Sequence, residues 1–233
     1  NKGRVKRCFS SKGSDISSLN WPRGVAVSPT NQIIVADSSN HRVQIFNEHG
    51  KIYPNVRTGR LSYPWGVSTD NMGFVYVCDK DNHRIQVFTL DGQFIRKFGR
   101  LGTYDGQFDS PLYLAITSDN KVLVSDNGNH RIQVFDKYGR FMFKIGREGS
   151  ADGQLKYPRG VAVDAHGNIA VADSGNNRIQ IYKPDGSYMT NFGSWGSSAG
   201  QLKGIEGICF LPSGDIVVSD RENHRIQNFC YIH

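Results

Sequence analysis

Twelve residues, Val35-Ala36-Asp37-Ser38-Ser39-Asn40-His41-Arg42-Val43-Gln44-Ile45-Phe46, are rewritten four more times along this chain, at Val77 to Phe88, Val124 to Phe135, Val171 to Tyr182 and Val218 to Phe229. The Asp falls at 37, 79, 126, 173 and 220, giving steps of 42, 47, 47 and 47 residues. An Arg follows it by five residues in every copy: Arg42, Arg84, Arg131, Arg178 and Arg225. A period of roughly 40–50 residues built from short strands predicts the blades of a β-propeller. The expected fold is therefore all-β, with one four-stranded antiparallel blade per copy.

Each period reads as four strands. The first is short and made of small residues, as in Gly24-Val25-Ala26-Val27, Gly66-Val67-Ser68-Thr69 and Gly160-Val161-Ala162-Val163. Small residues suit the place where strands converge on a propeller axis. The second runs from Ile33 to Ala36 and ends at the repeated Asp; the third, Arg42 to Phe46, alternates Val or Ile with Gln. The fourth follows an Asp-Gly turn, Asp91-Gly92 before Gln93 to Phe98 and Asp185-Gly186 before Ser187 to Phe192, which is a strong hairpin signal. The connection into the second blade departs from the pattern: Pro54 to Arg60 replaces the Gly-rich link found at Gly99 to Ser110, and this accounts for the short first step.

The two ends complement each other. No fourth strand follows Arg225 to Phe229, and Val5 to Phe9 aligns with a fourth strand, Lys6-Arg7-Cys8-Phe9 matching Arg96-Lys97-Phe98. The expectation is a single domain, residues 1–233, whose N-terminal strand completes the last blade and closes the ring, removing exposed edges. Five copies give five blades. A six-bladed ring is the alternative and needs a divergent copy, for which the residues between repeats leave no room. The opening strand also reads as the start of a C-terminal fragment of a longer protein.

Charge limits the partners. Twenty-eight Lys and Arg against 21 Asp and Glu leave +7, a balance that suits an acidic partner such as nucleic acid. The four cysteines form no CxxC pair and share no repeat position. Cys78 stands where the other copies hold Ala36, Ser125, Ala172 and Ser219, so it reads as a small buried filler in a reduced, intracellular setting. No apolar run approaches a membrane span of roughly 20 residues, no sequon occurs and no signal peptide is expected.

The repeat offers its own comparison. A residue present in all copies serves every blade alike, so Asp and Arg are read as a structural pair that pins the hairpin turn. His41, His83, His130 and His224 share one slot, with Asn177 replacing the fifth; an Asn keeps hydrogen bonding without metal affinity, and no metal is expected. Function belongs at positions that vary between blades on one face. These are the turn after the Asp (Ser38, Lys80, Asn127, Ser174, Arg221) and the residue between Pro and Gly (Arg23, Trp65, Leu112, Arg159, with Glu206 after Ile205). Tyr113 stands in place of the Gly in the third blade, and Lys12, Arg57, Arg60, Arg100, Tyr104, Arg147, Lys156 and Trp195 lie further out. Cations with aromatics between them suit single-stranded RNA: charges neutralise phosphates while rings and guanidinium planes stack on unpaired bases. Glu206, Glu222, Asp81 and Glu148 in the same region argue the other way, and exposed Trp and Arg also make protein hot spots.

Asp-Ser-x-Asn-His-Arg-Ile-Gln-Val-Phe, followed by Asp-Gly-x-Phe and a Gly-Gln-Phe connection into Pro-x-Gly-Val-Ala-Val, resembles the NHL repeat over essentially the whole chain, most completely from Asp126 to Val163. The spacing is most similar to the NHL domain that ends TRIM-NHL proteins. That resemblance implies a RING, B-box and coiled-coil ubiquitin-ligase module elsewhere in the polypeptide and a propeller used as a targeting platform. It also implies that single-stranded or hairpin RNA, such as the three-prime untranslated regions of mRNAs, binds the top face and is repressed. Carried over by position, the RNA-binding set is Arg23, Trp65, Lys80, Arg100, Tyr113, Asn127, Arg147, Arg159 and Arg221. The competing reading is a protein-interaction platform for ligase substrates or corepressors. An enzyme is not expected: the first strands carry no His to hold an axial metal, and no nucleophile stands beside a base. No cofactor, no catalytic residue, no membrane contact, a monomeric domain and a cytoplasmic location complete the expectations.

Overall fold

A computed structural model describes residues 5, 7–53 and 61–231. Among them, eighteen strands form five antiparallel sheets, one for each copy of the repeat. The first sheet is β1 (Pro22–Val27), β2 (Ile33–Asp37) and β3 (Arg42–Phe46). The second is β4 (Pro64–Thr69), β5 (Val75–Asp79), β6 (Arg84–Phe88) and β7 (Phe94–Phe98). The third is β8 (Pro111–Ile116), β9 (Val122–Asp126), β10 (Arg131–Phe135) and β11 (Phe141–Ile145). The fourth is β12 (Pro158–Val163), β13 (Ile169–Asp173), β14 (Arg178–Tyr182) and β15 (Tyr188–Phe192); the fifth is β16 (Ile205–Phe210), β17 (Ile216–Asp220) and β18 (Arg225–Phe229). Strands follow one another across each sheet in chain order, as the blades of a five-bladed β-propeller do.

The chain divides into two compact units, Asn1–Lys97 and Phe98–His233. In the first, Ile34, Ala36, Val43 and Ile45 of one sheet pack on Val67, Val75, Val77 and Phe88 of the next. In the second, Leu123, Ile132 and Val134 pack on Val161, Ile169 and Val171, while Ala170, Ala172, Ile179 and Ile181 meet Ile205, Ile216 and Val218. The middle strands of the second, third and fourth sheets are buried on both faces, which is why β5, β9 and β13 read as near-continuous apolar runs. Cys78 is fully buried there, and burial pushes its thiol well above the ordinary value, so it is an unreactive filler.

The repeated Asp carboxylates hold each blade together. All five are fully buried. Asp126 accepts the Asp109 N–H at 2.7 Å, Asn129 Nδ2 at 2.9 Å, Arg131 Nε at 2.8 Å and Gln133 Nε2 at 3.0 Å. Asp37, Asp79, Asp173 and Asp220 repeat the set with the Asn three, the Arg five and the Gln seven residues on. The Arg then donates to loop carbonyls of its own blade, Arg131 to Tyr104 and Gln107 and Arg178 to Ala151 and Gln154. Burial pushes the Asp126 carboxyl up against the Asn129 and Arg131 hydrogen bonds; at Asp220 burial acts the same way, but the bonds from Asn223, the Lys203 N–H, Arg225 and Gln227 hold it below the usual range.

The expected N-terminal strand falls partly on residues 1–4 and 6, which lie outside the described residues; Val5 and Arg7 to Phe9 carry no strand, and among the described residues the fifth sheet has three strands. Phe9 instead packs on Phe46, ring centroids 5.2 Å apart, and Arg7 donates to the His49 carbonyl at 2.6 Å. This apolar contact is the one Phe192 makes with Phe229 at the end of a fourth strand, kept here without the strand pairing. The connection Pro54 to Arg60 lies outside the described residues.

Asp126→Ala strands four buried donors and is expected to lower stability by about 3 kcal/mol, whereas the exposed Arg23→Ala should cost less than about 0.5 kcal/mol. Parallel urea titrations of the two variants check the difference.

Candidate nucleic-acid interface

Every first strand carries the same irregularity. Pairing jumps from Pro22–Asp37 to Val25–Val35, and likewise after Pro64, Pro111, Pro158 and Ile205, so two residues of the first strand oppose one of the second. Such a bulge frees a side chain from the ladder and re-aims it. The first bulged residue is the one between Pro and Gly: Arg23, Trp65, Leu112, Arg159 and Glu206. The Gly allows close approach of the next blade: a Cβ on Gly24 would stand 2.5 Å from the Trp65 carbonyl oxygen, and one on Gly160 would stand 2.8 Å from that of Glu206. Arg23 and Trp65 in one unit, and Arg159 and Glu206 in the other, therefore lie side by side.

In the first unit that pairing sets Arg23 on Trp65. The guanidinium carbon lies 4.2 Å from the Trp65 ring centroid and 6.0 Å from that of Trp21. Arg23 is exposed and forms no ion pair among the described residues. Trp65 itself is 8% exposed, with its indole N–H buried and unpartnered. The row continues through Tyr63, 6.1 Å from Trp65, to Lys80 Nζ, 5.5 Å from the Tyr63 ring. Lys80 also pairs with Asp81 at 2.7 Å.

In the second unit the same pairing sets Arg159 on Glu206. Arg159 Nη1 donates to both Glu206 oxygens at 2.8 Å, the Tyr113 hydroxyl donates to Glu206 at 3.1 Å, and Arg221 approaches it at 3.6 Å. Arg221 also donates to Glu222 at 2.9 Å. Glu206 is half-buried, so these attractions are less screened than surface pairs. Asn127 donates to the Pro158 carbonyl at 3.1 Å, an inter-blade tie. Arg100 and Arg147 are exposed, with no ion pair among the described residues. Exposed rings nearby include Tyr104, Tyr157 and Trp195, the last 5.9 Å from Lys203 Nζ. Arg57 and Arg60 lie outside the described residues.

Of the nine residues selected from the sequence, Arg23, Trp65 and Lys80 thus belong to one cluster and Tyr113, Arg159 and Arg221 to another organised by Glu206. Sequence reasoning passed over the position before the Pro. Trp21, Tyr63, Ser110, Tyr157 and Gly204 all adopt left-handed backbone there, φ between 47° and 62°. An internal comparison of that column would have found three aromatics in five copies.

The shared His slot explains how that backbone is held. His41 Nδ1 accepts the Tyr63 N–H at 3.0 Å and His130 Nδ1 accepts that of Tyr157 at 3.1 Å; Asn177 Oδ1 accepts that of Gly204 at 3.1 Å. Each is an acceptor tying one blade's turn to the next blade's entry, which puts the histidine proton on Nε2. Among the described residues no three His, Cys, Asp or Glu side chains gather as a metal site, and no helix is long and apolar enough to cross a membrane.

Five blades with loop-borne rings and cations define a propeller of the repeat-built kind. Residues 19–46, 61–88, 108–135, 155–182 and 202–229 match the NHL repeat, and the chain belongs to the NHL repeat family. A 50-residue stretch, 22% of the chain, is 42% identical to RING finger protein nhl-1 of Caenorhabditis elegans and spans 5% of that protein. Among solved structures, an auxiliary nutrient binding protein from Bacteroides thetaiotaomicron superposes with a TM-score of 0.73 at 16% identity, over 92% of this chain and 60% of that one. Virginiamycin B lyase from Staphylococcus aureus gives 0.66 at 17%, over 89% and 69%. A gluconolactonase from Xanthomonas campestris gives 0.66 at 16%, over 92% and 77%. At these identities the likeness is one of fold.

The acceptor role of the His slot predicts that His130→Asn keeps the stability of the parent while His130→Leu, which leaves the Tyr157 N–H without its partner, loses about 1 kcal/mol. Thermal melts of the two variants decide it.

Proposed function

We propose that this NHL propeller is a binding module that takes single-stranded or hairpin RNA on its bulge and turn loops. The observation that carries the reading is Arg23: an exposed guanidinium 4.2 Å from one indole ring and 6.0 Å from another, with no carboxylate neutralising it among the described residues. A planar cation backed by a ring offers a base a stacking face and a phosphate a counter-charge at once. Arg100 and Arg147 add exposed positive charge, and the net +7 favours a polyanion. In a TRIM-NHL setting, to which the partial match with a RING finger protein is a pointer, the module directs repression of bound mRNAs in the cytoplasm.

One observation favours a second reading, a protein platform. Glu206 satisfies Arg159 and engages Arg221 and Tyr113, so that cluster offers a mixed, hydrogen-bonded surface of the kind proteins recognise. On this reading the propeller presents substrates or corepressors to a ligase module.

Selection from a random single-stranded RNA pool at about 150 mM salt is expected to enrich a short motif. Glu206→Gln should then tighten binding and steepen its salt dependence by about one phosphate's worth, because it releases the Arg159 guanidinium while Arg221 keeps Glu222. An unenriched pool, or binding that vanishes with salt in both proteins, turns the assignment to the protein platform.

A further inference from the structure

Resting on the RNA reading above, we infer that Trp21, Arg23 and Trp65 form a clamp for one unpaired purine base. The jaws differ in kind. Trp65 is buried, and Arg23 lies 4.2 Å from its ring, so the guanidinium has solid backing and cannot retreat inward. Trp21 is 65% exposed and lies 6.0 Å from the same guanidinium. It is held on left-handed backbone, φ 50°, directly before Pro22, which fixes where the ring starts from without burying it.

A base inserted between two planar groups needs van der Waals contact of about 3.5–4.0 Å on each face. The Trp21 ring centroid lies 6.0 Å from the guanidinium carbon, and an outward swing of this exposed ring admits the base. The stack is then Trp21, base, Arg23, Trp65, in which each π face meets either another ring or a cation. A bicyclic base covers the guanidinium and overlaps the indole together, and a single-ring pyrimidine covers less of both.

The same rings could be read as a cage for a cationic ligand such as a methylated lysine. Arg23 already occupies that place, and a second cation would meet its charge. The electron-rich face of a neutral base is the complementary guest.

The experiment measures binding of labelled oligoadenylate and oligouridylate of about nine nucleotides by anisotropy, with tryptophan fluorescence recorded in parallel. The adenylate is expected to bind about tenfold tighter and to quench tryptophan emission. Trp21→Ala and Arg23→Lys, the second keeping the charge but losing the planar face, should each collapse the ratio of the two affinities toward one. If Trp21→Ala lowers the melting temperature, Arg23→Lys carries the test. Equal affinity of both oligomers, or a ratio unchanged by the substitutions, overturns the clamp and leaves RNA binding standing. Absence of binding to either oligomer overturns the clamp and the RNA reading together. An Arg23→Ala protein that gains affinity for a trimethyllysine peptide replaces the base with a cation as guest.

Discussion

A buried carboxylate that accepts four hydrogen bonds organises each blade. An ionised Asp with no water around it is costly, and a partial set of donors would make the core worse than an apolar one. The chain meets this demand by placing an Asn, an Arg and a Gln three, five and seven residues on, and by turning a backbone N–H from the incoming connection toward the same group. Because two of those donors reach on to carbonyls of that connection, the loop is fixed by the network that fixes the turn. The varying residues on the loops are thus mounted on a rigid frame that carries none of the variation itself.

The frame was legible because it is repeated. The third strand, Arg42 to Phe46, is placed to the residue, and the fourth strands β7 and β15 to within one, since invariant spacing marks both Asp and turn. The Asn177 exchange for His was legible in the same way: the slot needs an acceptor, and both side chains supply one. The N-terminal segment is legible through Phe9, whose packing on Phe46 is that of a fourth-strand end, while Val5 and Arg7 to Phe9 carry no strand. An aromatic at a strand end reports which ring it covers and is silent about which edge its backbone joins.

The face was less legible, for a different reason. Comparing copies shows which positions vary, yet the chemistry of a varying position depends on its neighbour in the next blade. Trp65, selected as a contact, is 8% exposed and lies 4.2 Å beneath the Arg23 guanidinium. Arg159 was selected for its charge and stands against Glu206. Both outcomes follow from one geometric fact absent from any single repeat: the bulged residues of successive blades come together because the adjoining Gly lets their strands approach.

That fact turns a list of loop residues into ordered pairs. A cation followed one blade later by an indole keeps its charge available and gains a rigid backing, so it can serve a ligand. A cation followed by a carboxylate has its charge satisfied from within, and a polyanion arriving there must displace a half-buried, bidentate partner. Within one frame, substitution of a single bulged residue therefore changes the state of two blades at once. Which charges remain available is thus set by the neighbour in the next blade of the same unit more than by the number of basic residues.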